Sequence, residues 1–227
     1  MSFMLAQGSL STMGTVAVPR TRHTLGPTGP DQAPPDKRWR GVEANARLTG
    51  TVAALLLVLL AAEGVTVLRV RALLTAHVFI GMLLVPPVLL KMGSTGYRFV
   101  RYYAGSPAYR RKGPPPALLR VLGPLVVLLT VCLFASGIAL LFAGPGWHRD
   151  LLLLHKASFV LWFVVMVVHV LGHLLDTARL APKDFYWRTR RQVEGAGARR
   201  WAVAASLALG ALVALLCVGQ VGHYLVR

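Results

Sequence analysis

Acidic residues are scarce in this chain, eight Asp and Glu against 25 Lys and Arg in 227 residues, which leaves a net charge of +17. Charge of either sign is also sparse, at 15%, whereas 55% of residues are apolar and the mean hydropathy is +0.58. An ordinary soluble domain is about a quarter charged, so a water-soluble globular class is excluded. Only two cysteines occur, Cys132 and Cys217, both inside apolar stretches. That excludes a cysteine-built zinc or iron–sulfur site, a disulfide scaffold and a c-type haem attachment, whose Cys-x-x-Cys-His spacing is absent. Neither a Gly-x-Gly-x-x-Gly run nor a P-loop is present, so no flavin or nucleotide site is expected.

What the chain has in quantity is long apolar runs. Five of them, at 48–68, 72–90, 121–144, 151–175 and 201–226, are long enough at about 1.5 Å per residue to cross a hydrocarbon core roughly 30 Å thick. Lipid offers no partner to an unpaired backbone group, so each must be a helix, and the expected fold is an all-α membrane bundle of five transmembrane helices. The cations sort by side. Six precede the first run, seven lie in 91–120 and seven in 179–200, against five on the opposite side, Arg69, Arg71, Arg149, Lys156 and Arg227. The positive-inside rule then puts the N-terminus in the cytoplasm and the C-terminus outside a bacterial plasma membrane. Topology and attraction to anionic lipid account for the positive charge, and nucleic acid is not expected as a partner.

Residues 1–44 are rich in Pro, Gly and Thr, lack the features of a signal peptide, and read as a disordered cytoplasmic tail ahead of a five-helix domain at 45–227. The aromatic and basic stretch after Gly93 suits an interfacial helical extension, ended by Pro114-Pro115-Pro116. Pro86-Pro87 is expected to interrupt and bend the second helix.

Four histidines sit in or at the ends of the apolar runs: His77, His155, His169 and His173. Ionisable residues within a span carry a functional presumption. His77 lies five residues into the second run and His155 four into the fourth. Both runs begin outside, so the imidazoles fall at one depth and form the ligand set of a six-coordinate b-type haem. His169 follows His155 by fourteen residues, on the same face and about 21 Å further in, the level of a second haem. Gly137 and Gly123, also fourteen apart on the antiparallel third helix, match the two levels and offer faces without side chains. Gly81, one turn after His77, offers similar clearance. Helix contact is the alternative role of each glycine. Glu63 falls level with the outer site, either orienting an imidazole, accepting a proton, staying neutral through burial, or pairing with Arg71 or Lys156. Arg69, Arg71 and Lys156 lie where outer propionates would emerge, and serve equally as interface cations. Met92 reaches the depth of His169 as a candidate ligand, and Lys91 is expected to snorkel to the cytoplasmic interface. His173 suits a cytoplasmic quinone site or the interface. His23, His148 and His223 are incidental.

With His77 in the second helix and the His155-x13-His169 spacing in the fourth, residues 45–175 resemble the membrane-bound b-type cytochromes, including formate dehydrogenase gamma subunits and nickel–iron hydrogenase cytochrome b subunits. The segment His77-Val78-Phe79-Ile80-Gly81 through Phe99 is also similar to small bacterial cytochrome b proteins. The resemblance implies haem-binding second and fourth helices, two haems, and electron transfer between quinone and a partner oxidoreductase. Such a chain is an electron-transfer subunit, not a stand-alone catalyst. The gamma subunits supply a fourth histidine from the first helix, where this chain reads Asn45-Ala46-Arg47-Leu48-Thr49-Gly50. One firm haem b is therefore expected at the outer site, and a second at the inner site only with ligation through His169 that is weaker or not bis-histidine. The competing class is a haem-free transporter or anchor subunit whose intramembrane His and Glu hydrogen-bond or carry protons.

Overall fold

The computed structural model describes residues 37–111, 117–180 and 195–222. All their regular elements are helices: α1 (Lys37–Leu68), α2 (Val70–Tyr103), α3 (Pro107–Arg111), α4 (Ala117–Phe142), α5 (Pro145–Leu180) and α6 (Ala196–Val218). Five of these segments are long and apolar enough to cross a membrane, namely Gly41–Leu68, Val70–Tyr103, Arg120–Phe142, Pro145–Gly172 and Ala196–Gly222. Helix α1 begins at Lys37, inside the stretch expected to be tail. Residues 1–36, with His23, lie outside the described residues, as do His223 and the side chain of His173.

The helices are amphipathic only weakly, because apolar side chains cover them all round and each can present a face to lipid as well as to its neighbours. Leu68, Val58, Leu153, Leu171 and Leu216 are among the large apolar side chains left exposed on these helices, which suits contact with membrane lipid. Packing falls into two groups. One joins α2 to α1 and α6; the other is the α4–α5 hairpin; α1 with α5 and α2 with α4 make sparser contacts across the seam. The core of the first group is Val52, Leu56 and Leu84, and Phe134 of α4 reaches across to it.

Helix α2 corrects one expectation. It keeps helical torsions through Pro86-Pro87, and its non-helical residue is Leu73, four positions before His77. Both prolines are buried, so packing against neighbouring helices holds the geometry although one backbone donor is lost at each. The expected interfacial extension is helical and continuous with α2 as far as Tyr103. Gly105, at φ 84°, makes the turn into α3, a conformation that costs glycine nothing. At the other end of the group, α6 crosses α2 so closely that a Cβ at Gly210 would run into the carbonyl of Leu83. Small residues at crossings replace the hydrophobic effect, which is weak between helices already in lipid.

A polar clamp ties α1 to α2 at the end opposite their connecting turn. Lys91 donates to the Thr49 carbonyl at 3.0 Å, Asn45 Nδ2 to the Ser94 carbonyl at 3.1 Å, and the Thr49 hydroxyl to Ser94 Oγ at 3.1 Å. Lys91 thus turns onto the neighbouring helix α1. The carbonyl gives its ammonium a partner within the protein.

Candidate functional site

Helices α2 and α5 run the same way from turns at one end of the bundle, so residues a few positions into each reach the same level. His77 and His155 meet there, ring centroids 6.4 Å apart and planes at 74°. His77 belongs to the α1–α2–α6 group and His155 to the α4–α5 hairpin, so the pair spans the seam.

Each ring is held from its own side. His77 Nδ1 lies 2.8 Å from Glu63 Oε1 and 3.2 Å from Thr66 Oγ1, both on α1. His155 Nδ1 lies 3.2 Å from the Leu133 carbonyl and 3.1 Å from Ser136 Oγ, both on α4. The Leu133 carbonyl can only accept, so His155 Nδ1 carries the proton and its Nε2 keeps a lone pair; His77 Nδ1 is engaged by Glu63 and Thr66, which leaves Nε2 as the ring atom able to offer a lone pair. Among the described residues no side chain bonds to either Nε2. Two acceptor lone pairs cannot hydrogen-bond to each other; they can both donate to a Lewis acid.

The glycines divide. A Cβ on Gly137 would stand 3.0 Å from His155 Cε1, so Gly137 makes room for the imidazole. A Cβ on Gly81 would lie 3.6 Å from Glu63 Oε1, facing the carboxylate. Gly123 looks onto open space within 4 Å. Glu63 bonds to His77, and not to Arg71 or Lys156, which are both exposed, as is Arg69. His169 is half-buried on α5, fourteen residues beyond His155, and Met92 is half-buried on α2. Midway between His155 and His169 on α5, Trp162 is buried and donates from Nε1 to Thr130 Oγ1 of α4 at 2.9 Å.

Thr66 and Ser136 are the site neighbours that sequence reasoning missed. A hydroxyl in an apolar helix ordinarily returns to its own backbone, as Ser136 also does to Leu133 and Thr66 to Glu63. The available signal was register: Thr66 is three residues after Glu63, and Ser136 adjoins Gly137. Among the described residues no group of three or more His, Cys, Asp or Glu side chains gathers as a metal site; an axial pair needs only two. No family model, curated protein or solved structure matches the chain.

Proposed function

We propose that the chain is a membrane electron-transfer subunit that holds one b-type haem between His77 and His155. The observation that carries this reading is the 6.4 Å between the ring centroids. Two imidazoles on opposite sides of one metal put their centroids roughly 6 Å apart, given bonds of about 2 Å and about 1 Å from nitrogen to ring centre. The donor set fits as well, since both Nδ1 atoms are anchored and Nε2 is the atom left on each ring. Gly137 leaves the room that the His155 ring takes up.

Haem bound there supplies a one-electron couple. The protein's part is to fix two ligands on separate helix groups, to shield them from water, and to bring them to one end of the bundle. With no flavin or nucleotide motif in the chain, substrate chemistry belongs to a partner oxidoreductase, and quinone is the second electron partner. The distribution of cations supports a reading in which the N-terminus and the α2–α4 connection face the cytoplasm of a bacterial cell and the haem lies in the outer leaflet. His169 with Gly123 marks the level of a weaker second site.

A specific contact favours the haem-free alternative: the Glu63–Thr66–His77 chain is a ready hydrogen-bonded path, and 6.4 Å also suits two imidazoles in edge-to-face contact. A reduced-minus-oxidised optical spectrum of the purified protein separates the readings. A low-spin b-type spectrum supports electron transfer; a featureless spectrum after expression in haem-replete cells leaves the transporter or anchor.

A further inference from the structure

The two imidazoles differ in what stands behind them. His155 rests on neutral groups, a carbonyl and a hydroxyl. His77 rests on a carboxylate, with Glu63 Oε1 at 2.8 Å, the two side chains only 15% and 22% exposed. Thr66 Oγ1 lies 2.7 Å from the Glu63 carbonyl and 3.0 Å from Oε2, so its single proton serves one of them at a time while its lone pairs face His77 Nδ1.

An ionisable carboxyl in an apolar span is costly unless its charge is balanced. Among the described residues, His77 is the one ion partner of Glu63. With Nδ1 protonated and Nε2 given to a metal, that imidazole brings no charge of its own. The balancing charge must then come from what Nε2 binds. An oxidised iron–porphyrin core carries a net positive charge, and the reduced core does not.

We propose that Glu63 is a positioning residue that strengthens His77 as a ligand and holds the bound haem toward its oxidised form, an inference that rests on the haem reading above. A carboxylate accepting from Nδ1–H pushes electron density toward Nε2 and fixes the ring's tautomer and direction. It also opposes arrival of the electron that a quinol or partner oxidoreductase delivers, because that electron removes the positive charge of the core that faces it. Axial-ligand character, hydrogen bonding and burial are the levers by which a protein sets a haem potential; Glu63 acts through all three. The site is therefore electronically lopsided.

The test is redox potentiometry on purified wild-type protein and Glu63→Gln, with haem counted per chain and the low-spin electron paramagnetic resonance spectrum recorded. Gln keeps the shape and a hydrogen-bond acceptor but loses the charge. The expected result is retained haem, a changed ligand-field signature, and at fixed potential an oxidised-to-reduced ratio at least about tenfold lower, equivalent to a midpoint raised by about 59 mV. Glu63→Asp, which restores the charge, should return the ratio part of the way. Haem-bearing Gln protein with an unchanged midpoint would overturn the inference while leaving the haem reading intact. Wild type without haem would overturn both. Should Glu63→Gln fail to accumulate, the wild type alone decides: with ¹³C-labelled glutamate, the reduced-minus-oxidised infrared spectrum must show a shifted carboxylate band, and its absence overturns the inference.

Discussion

Gly137 shows how tightly the site is drawn at single residues. A Cβ at 3.0 Å from His155 Cε1 forces the ring to give by tenths of an ångström, and a branched side chain forces more. Gly137→Ala should therefore loosen haem binding and Gly137→Val should weaken retention about tenfold or more, in line with overpacking costs of about 1–3 kcal/mol. Haem absorbance per chain after size-exclusion chromatography measures both, and equal retention in wild type and Val would show that the imidazole does not need this clearance. At this scale the sequence was partly legible. The meeting of His77 with His155 followed from counting residues from the helix starts. The glycine contacts did not, because depth says nothing about azimuth: Gly137 backs onto the His155 ring and Gly81 faces Glu63. Ser136 and Thr66 were illegible for another reason. A hydroxyl bonded to its own helix looks the same in sequence whether or not a histidine also uses it.

At the level of elements, hydropathy fixed the number of spanning helices, since lipid leaves the backbone no other option. It failed on their ends and bends. Lys37 to Ala46 is helical despite its polarity, because Arg47 pairs with Glu43 one turn back at 2.7 Å and the clamp to α2 begins at Asn45. Pro86-Pro87 does not break α2, since both rings are buried among neighbouring helices, whereas no sequence feature marked Leu73. The α2–α6 crossing gives a sharp expectation. Gly210→Leu puts a side chain where the Leu83 carbonyl sits, so α6 must move away, at a cost of about 1–3 kcal/mol. A thermal midpoint in detergent several degrees below that of wild type is expected, with haem still bound because α6 contributes no ligand. An unchanged midpoint would mean that the two helices do not pack this closely.

For the whole molecule, orientation decides which side of the membrane would exchange electrons with the proposed haem. The proposal of a cytoplasmic N-terminus rests on the segregation of cations. In a background lacking Cys132 and Cys217, a cysteine at His148 should react with an impermeant maleimide added to intact cells, and one at Arg190 should react only after the cells are opened. Reversed labelling would move the haem to the cytoplasmic leaflet. The two-group packing adds a consequence for assembly. His77 and His155 meet across the seam, so the proposed haem should stiffen a bundle whose halves otherwise touch through α1 with α5 and α2 with α4.

The most direct measurement of the central claim is haem per chain in three purified single variants, His77→Ala, His155→Ala and His169→Ala. Loss of either imidazole leaves five-coordinate iron with one anchored side. The expected result is that the first two abolish the same low-spin signal and the third keeps it. Full haem content with the parental spectrum in both His77→Ala and His155→Ala would contradict the assignment of this pair.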